Sequence, residues 1–198
     1  MRSLVIYAHP GVQSFNHAIK QTIENELKAT GETYAVRDLY QLNFDPVLHL
    51  QDIEGAEHHV VLEDVQEEQM HIQSSDVLIF IFPIWWAAMP AILKGYIDRV
   101  FSYDFAYSMD EKGNINGLLK GKKAVIINTT GAHHHEYAKE GMFDSMNKIL
   151  DKGVLTLCGI EVIEHKYLCA VHESSETERT HMLEEIRGIV RKAVAVEG

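Results

Sequence analysis

Residues 77–93 read VLIFIFPIWWAAMPAIL and contain no charged residue. At seventeen residues, the run lies at the lower edge of the length that spans a membrane. Pro83 and Pro90 lie inside it, and each would remove a helical hydrogen bond and clash with the preceding turn. We therefore interpret residues 77–82 as a strand buried on both faces, followed by a loop and by a helix that starts at Pro90.

Strands and helices alternate on both sides of this strand. Further strands are predicted at residues 3–8, 33–38, 123–128 and 161–170. Helices are predicted from a cap at Ser14 to Thr30 and at residues 62–73, 142–157 and 176–194. Residues 40–64 show no sustained period and are expected to form a long excursion. The alternation implies right-handed crossovers onto a parallel sheet, with helices on both faces and ligands at the carboxyl ends of the strands.

The composition fits one domain spanning residues 1–198, with 46% hydrophobic residues to form a core. Asp and Glu number 29 against 18 Lys and Arg, a net charge of −11. This excess argues against nucleic acid or an anionic membrane as the main partner, because both attract basic surfaces. Two cysteines without a C-x-x-C pair, and an N-terminus without an export signal, favour the reducing cytoplasm.

The loop after the first strand, residues 8–16, reads AHPGVQSFN and leads into a helix. Free backbone N–H groups at a helix start, with the Ser14 hydroxyl and the Asn16 amide beside them, suit a phosphate. The alternative interpretation is that Ser14 only caps the helix.

The loop after the central strand, residues 82–90, holds both tryptophans of the chain, Trp85 and Trp86. Two neighbouring Trp side chains cannot both point into one core from a loop. At least one is therefore expected on the wall of a cleft, where it would contact a planar ligand. The alternative is a hydrophobic loop that lies under a helix or at a subunit interface.

The loop after the fourth strand, residues 129–137, reads TTGAHHHEY. Its two hydroxyls and Gly131 suit the polar edge of a ring, and Tyr137 is expected to donate a hydrogen bond or a proton. The three consecutive histidines project in different directions and lack a completing set of ligands, so no metal site is expected.

Several well-known motifs are missing from the sequence: the glycine-rich dinucleotide fingerprint, the P-loop, the hydrolase nucleophile elbow and the zinc-protease helix. A phosphate loop without those glycines, an aromatic loop and a hydroxyl-rich loop together indicate a flavin. The fold that suits this combination is a flavodoxin-like α/β sandwich of three layers. Its five-stranded parallel sheet has the order 2-1-3-4-5.

Short motifs occur in order along almost the whole chain: AH at 8–9, SFN at 14–16, DLY at 38–40, NFDP at 43–46, FPIWW at 82–86, MPAILKG at 89–95, RVF at 99–101, FAY at 105–107, TTG at 129–131 and Tyr137. Together they resemble the flavodoxin-like NAD(P)H:quinone oxidoreductases. This family includes mammalian DT-diaphorase and the bacterial modulator-of-drug-activity and potassium-efflux ancillary proteins.

The resemblance implies a binding site for a flavin, either FMN or, as the alternative, FAD. The residues implied at its ribityl-phosphate end are His9, Ser14, Phe15 and Asn16. Those implied beside the isoalloxazine are Pro83, Ile84, Trp85 and Trp86. Those implied on its pyrimidine side are Thr129, Thr130, Gly131 and Ala132, with Tyr137 at the N1/O2 edge.

The resemblance also implies an enzyme that works by a ping-pong cycle. NAD(P)H would give a hydride to the flavin and leave, and a quinone, or a nitro or azo compound, would then take two electrons. Both would occupy one pocket of a homodimer, lined by Trp86 and by Tyr107 of the partner subunit. The mammalian enzymes have a histidine six residues after the tyrosine, where this chain has Phe143, so Tyr137 would act alone or with water.

Two other functions are consistent with the same fold. One is a flavodoxin-type electron carrier, which shares the sheet and the acidic charge. The Trp pair, Tyr107 and Tyr137 argue against it, because they would form the walls of a pocket for a second planar ring. The other is an ancillary subunit of a potassium efflux antiporter, which would make a peripheral contact with a membrane transporter.

Overall fold

A computed structural model describes residues 1–58 and 60–195, without the side chains of residues 56–58. Its strands are β1 (Arg2–Tyr7), β2 (Thr33–Asp38), β3 (Val77–Pro83), β4 (Tyr107–Met109), β5 (Ile115–Gly117), β6 (Lys123–Thr129) and β7 (Glu161–Leu168). Its helices are α1 (Phe15–Ala29), α2 (Leu50–His58), α3 (Glu63–Gln73), α4 (Ala91–Val100), α5 (His134–Lys139), α6 (Met142–Asn147) and α7 (Glu176–Val194). A π-helical segment, Lys148–Thr156, follows α6 directly.

Five parallel strands form the central sheet in the order β2-β1-β3-β6-β7. Counted within this sheet, the order is 2-1-3-4-5, as the sequence predicted. β1 pairs with β2 on one side and with β3 on the other, so that Ser3 lies opposite both Tyr34 and Val77. The strand order reverses between β1 and β3, and a crevice forms at the carboxyl ends of the strands at such a reversal.

The sheet separates two apolar clusters, because successive side chains of a strand point to opposite faces. Leu78, Phe80 and Phe82 of β3 pack in the cluster that includes α3, α4 and the π-helical segment. Val77, Ile79 and Ile81 pack in the cluster with α1 and α7. Burial on both faces explains why β3 is a continuous apolar run rather than an alternating one.

Residues 40–64 contain helix α2, which the sequence did not predict. Asp52 of this helix binds the buried guanidinium of Arg99 on α4, with Oδ2 at 3.1 Å from Nε. Arg99 also donates to Asp64 Oδ2 at 2.6 Å and to the Asp45 carbonyl at 2.9 Å. An ion-pair network therefore holds this region in place. Because ion pairs produce no hydrophobic periodicity in the sequence, helix α2 could not be predicted from that pattern.

Three other elements differ from the predictions. β4 and β5 form a hairpin around Asp110, whose Oδ1 accepts the backbone N–H groups of Lys112 and Asn114 at 2.9 and 2.8 Å. The helix predicted at residues 142–157 changes to π-helix after α6, and α5 precedes it. The predicted last strand was two residues too long, since β7 ends at Leu168. The predicted bounds of β2 and α7 are confirmed.

Within the described part of the chain, no helix combines the length and the hydropathy required to cross a membrane. Cys158 is buried, Cys169 is half-buried, and both are free thiols.

Candidate functional site

A cleft of about 610 Å³ lies at the carboxyl ends of β1, β3 and β6, beside the reversal of strand order. It gathers all three of the loops that the sequence singled out. Its lining residues are His9, Gln13, Ser14, Phe15, Asn16, Pro83, Ile84, Trp85, Trp86, Thr129, Thr130, Gly131, Val171, His172 and Arg179. Of the predicted flavin contacts, only Ala132 and Tyr137 lie outside this lining.

The first loop turns the N-terminus of α1 toward the cleft. Ser14 caps the helix, and its Oγ accepts the backbone N–H of His17 at 3.1 Å. Ser14 therefore caps the helix, and the N–H groups of Phe15 and Asn16 still have no partner within the helix. A helix start with free donors carries the positive end of the dipole, which suits an anionic group.

His9 lies in the same loop, with its ring 5.9 Å from that of Trp85. Its Nδ1 accepts the backbone N–H of Gly11 at 2.9 Å, which leaves the ring proton of the neutral form on Nε2. Burial lowers the pKa of His9. At neutral pH the ring therefore enters the cleft as an uncharged donor.

Two buried polar atoms in the cleft have no hydrogen-bond partner among the described residues. Asn16 donates Nδ2 to Thr129 Oγ1 at 2.7 Å, but its Oδ1 accepts nothing. Arg179 donates to the Val171 carbonyl at 2.8 Å, but its buried Nε donates to nothing. Because buried polar groups are normally satisfied, this unused acceptor and this unused charged donor are available to a polar ligand.

The second loop holds Trp86 in an unfavourable backbone conformation. Trp85 and Ala88 exchange backbone hydrogen bonds of 2.9 and 3.1 Å, which closes a tight turn. The two residues inside the turn, Trp86 and Ala87, have φ of 52° and 57°, a region that glycine and asparagine favour. This turn projects the fully exposed Trp86 side chain into solvent beside the cleft. Strain of this kind is typical of functional loops.

Hydrogen bonds fix the third loop against the second loop and within its own turn. Thr129 O accepts the N–H of Ile84 at 2.8 Å, which ties the second loop to the third. Thr130 Oγ1 donates to the Ala132 carbonyl at 2.8 Å, which fixes the turn after Gly131. In front of Gly131, an added Cβ would contact only the His172 ring, at 3.6 Å. The space before Gly131 is thus open to a ligand.

Tyr137 lies on α5, the helix that follows the third loop. It packs edge-on against Phe143, with ring centroids 5.7 Å apart. His133 is the N-cap of this helix, and its N–H donates to the Glu136 carboxylate at 3.0 Å. Tyr137 is not among the lining residues of the cleft, and its ring packs against Phe143.

Tyr107 lies on β4 and does not line the cleft. Its ring is 5.8 Å from that of Tyr103, and both line another cavity near Arg99. The structure of one protomer thus does not bring Tyr107 and Trp86 together.

Sequence reasoning missed the part of the cleft that follows β7. Val171, His172 and Arg179 contribute to the lining, and Arg179 lies over the Phe15 ring at 5.7 Å. This part of the cleft could have been predicted. Ligands bind beyond the carboxyl ends of the parallel strands, and that rule includes the loop after the last strand.

The cleft offers donors at one end and flat apolar walls at the other. The N-terminus of α1 and Arg179 supply positive potential, and Trp85 and Trp86 supply aromatic area. This donor set fits a phosphorylated ligand with a planar ring. Among the residues that the structure describes, no cluster of three or more His, Cys, Asp or Glu side chains has the arrangement of a metal site.

Comparisons with known proteins agree with this arrangement. A family model for a flavodoxin-like fold matches residues 1–190. A Haemophilus influenzae protein named "uncharacterized NAD(P)H oxidoreductase" is 38% identical over 185 residues, covering 93% of this chain and 91% of that protein. The mouse ribosyldihydronicotinamide dehydrogenase (quinone) is 36% identical over 200 residues, covering 91% and 86%. An NAD(P)H:quinone oxidoreductase from Methanothermobacter marburgensis superimposes with a TM-score of 0.88 at 28% identity, covering 100% of this chain and 99% of that one.

Proposed function

The chain belongs to the flavodoxin-like family, and from this membership we propose that it is a flavin-dependent NAD(P)H:quinone oxidoreductase. The observation that carries the proposal is the cleft in which three separate loops meet, with a helix N-terminus at one end and aromatic side chains at the other. The relatives named as NAD(P)H oxidoreductases and quinone dehydrogenases support it, because they match more than nine-tenths of this chain. We place the enzyme in the cytoplasm, as one domain over residues 1–198.

The residues present fit a flavin, with FMN preferred and FAD as the alternative. The helix start at Ser14, Phe15 and Asn16 would hold the phosphate, with His9 as a further donor. The unused Asn16 Oδ1 would accept from a ribityl hydroxyl, and Arg179 Nε would donate to an anionic or carbonyl oxygen. When bound, a flavin accepts a hydride from NAD(P)H and passes two electrons to an acceptor.

The ring end of the cleft would provide the walls for this chemistry. Pro83, Ile84, Trp85 and Trp86 would lie beside the ring, and Thr129, Thr130, Gly131 and Ala132 would lie along its polar edge. Tyr137 would donate a hydrogen bond toward N1/O2. Negative charge gathers at that edge on reduction, so this contact strengthens in the transition state and contributes to rate.

We propose a homodimer in which Tyr107 of the partner subunit completes the substrate pocket over Trp86. The fully exposed Trp86 side chain and the position of Tyr107 outside its own cleft support this proposal. In such a pocket the nicotinamide and the acceptor, a quinone or a nitro or azo compound, would bind in turn, which gives ping-pong kinetics. Light scattering tests it, and a monomer would remove the role given to Tyr107.

The proposed function is tested by the absorbance spectrum of the purified protein and by anaerobic titration with NADH and NADPH. A flavin spectrum that bleaches rapidly, and recovers on addition of a quinone, is expected. Chromatography of the flavin released on denaturation distinguishes FMN from FAD. A flavin that is reduced only slowly, and that accumulates a one-electron form, would point to an electron carrier and contradict the proposal.

A further inference from the structure

A second cavity, of about 180 Å³, adjoins the cleft. Ile84 lines both, so the two spaces share one wall. The remaining walls come from the Trp loop, through Met89, and from α6 and the π-helical segment, through Met146, Ile149 and Leu150. Ile149 is largely exposed, and it lies where the cavity meets solvent. We call this space the ring-end cavity.

The polar groups that border the ring-end cavity are already paired. His165 contacts Asp151 Oδ1 through Nδ1 at 2.8 Å and Asn128 Oδ1 through Nε2 at 2.7 Å. The Asn128 Nδ2 group donates to the Phe82 carbonyl at 3.3 Å.

Two further polar side chains border the cavity, and they are paired as well. Tyr167 donates to Asn147 Oδ1 at 2.8 Å, and Lys94 pairs with Asp98 at 2.5 Å. Burial raises the pKa of Tyr167, which keeps its phenol protonated and its hydrogen bond intact. Each polar side chain that borders the cavity therefore has a partner, and the rest of the lining is apolar, so the cavity selects a hydrocarbon group over a polar one.

The position of the cavity assigns it to the ring end of the proposed site. Tyr137 packs on Phe143, and Phe143 packs on Tyr167 with centroids 4.7 Å apart. Tyr167 in turn stacks on His165 at 4.4 Å. The cavity thus lies two aromatic contacts from Tyr137 and one shared side chain, Ile84, from the cleft. The phosphate-binding residues Ser14 and Asn16 do not line it.

We propose that the ring-end cavity binds the apolar substituent of the acceptor, so that the preferred substrates are quinones with an alkyl or prenyl side chain. An apolar cavity of about 150 Å³ stays dry and binds benzene, so this one has room for a group of about five or six carbons. The inference rests on the proposed function, since it names the substrate class of that site. Each methylene that enters should tighten binding about fourfold.

The first test detects occupancy without turnover. Met89 and Met146 line the cavity, whereas Met70 is exposed on α3. The holoenzyme labelled with ¹³C in its methionine methyl groups is titrated with benzene, and Met89→Leu, Met146→Leu and Met70→Leu assign the three signals. Saturable shifts of the Met89 and Met146 signals, with the Met70 signal unmoved, are expected. Unmoved signals, or equal shifts of all methionines, would overturn the proposal.

The second test measures KM for 1,4-naphthoquinones that carry no chain or a methyl, propyl or butyl chain. KM should fall with chain length in the unmodified enzyme. Ile149→Trp places an indole at the opening of the cavity and should abolish the dependence on chain length. Met70→Trp, an equal change at an exposed position outside the cavity, should preserve it. A chain-length dependence that survives in Ile149→Trp would overturn the assignment.

The two tests separate the inference from the proposed function. Rapid oxidation of NAD(P)H by quinones without methyl shifts or a chain-length effect would overturn the ring-end cavity and leave the enzyme activity standing. Methyl shifts in a protein that does not oxidise NAD(P)H with any quinone would overturn the proposed function, and with it the assignment of the cavity to an acceptor.

Discussion

Arg99 lies under α2 with all its side-chain nitrogens paired, whereas Arg179 lies at the edge of the cleft with its Nε unpaired. The first guanidinium binds two carboxylates and a carbonyl that belong to three different segments. The second makes one hydrogen bond to Val171 and packs over Phe15. The two regions use the same side chain for different purposes. A saturated cation holds the fold together, and an unsaturated cation is available to a ligand.

The same contrast applies to the amides of Asn128 and Asn16. Asn128 uses both ends of its amide, toward His165 and toward the Phe82 carbonyl. Asn16, in the first turn of α1, uses only its Nδ2. Asn128 borders an apolar cavity, and Asn16 lines a polar cleft. A fully hydrogen-bonded amide thus accompanies the apolar space, and an amide with a free acceptor accompanies the polar one. Substitutions in the two regions should therefore affect different quantities.

Arg99→Met should give the largest effect on stability. It leaves the buried Asp52 carboxylate and the half-exposed Asp64 carboxylate without their counter-ion, which should reduce the free energy of unfolding by about 3–5 kcal/mol. The measurement is the denaturant midpoint in urea. Arg187→Met, which removes a cation paired with an exposed Glu184, is the matched control and should stay within about 1 kcal/mol. An equal loss in both variants would contradict the contrast drawn above.

Arg179→Gln should affect ligand affinity more than folding. The charged donor at the cleft is lost, and a charge-assisted hydrogen bond contributes about 1.5–3 kcal/mol, so the Kd for flavin should rise by roughly tenfold to a hundredfold. Titration of the flavin-free protein, followed by flavin fluorescence, measures this. The folding midpoint should move much less than in Arg99→Met, and Arg187→Gln on the same helix should bind flavin normally. Unchanged affinity would mean that the unpaired Nε does not face the ligand.

Tyr137→Phe should slow the reduction of bound flavin about five- to tenfold, because it removes one hydrogen bond that contributes about 1 kcal/mol. The affinity for flavin should be unchanged. Stopped-flow absorbance with NADH or NADPH measures the rate, and Tyr34→Phe on β2 is the control. Equal rates in the Tyr137→Phe variant and the unmodified protein would remove the role assigned to the phenol.

Much of the fold followed from hydrophobic period alone. The buried run 77–82 and the amphipathic final helix predicted β3 and α7, because core packing determines both elements. Helix α2 was missed because Asp52 and Arg99 hold it, and an ion pair between distant residues has no period. The β4–β5 hairpin was missed for a similar reason, since the carboxylate of Asp110 organises its turn locally.

The site was predictable as far as single loops were concerned. The loops around Ser14, Trp86 and Thr130 were each found from their own composition, and the parallel topology brings them to one edge of the sheet. Arg179 was missed because it enters the cleft from the final helix, where a basic residue is common. The ring-end cavity could not be predicted, since it depends on how α6 and the π-helical segment pack on the Trp loop.

Replacing His9 should give the smallest effect, and this effect appears only in how the free energy of unfolding depends on pH. Burial lowers the pKa of His9 in the folded protein below the ordinary value of about 6.5, so the unfolded chain binds more protons than the folded one near that pH. The contribution of neutral His9 to stability is therefore present above about pH 6.5 and is lost as pH falls through the lower, folded-state value.

His9→Gln keeps an acceptor for the Gly11 N–H but does not titrate. Urea midpoints measured from pH 8 to pH 5 should fall more steeply for the unmodified protein than for His9→Gln, with the exposed His181→Gln on α7 as the matched control. Parallel profiles would show that His9 is no more buried than a surface histidine, and the cleft would then lose the uncharged donor assigned to it.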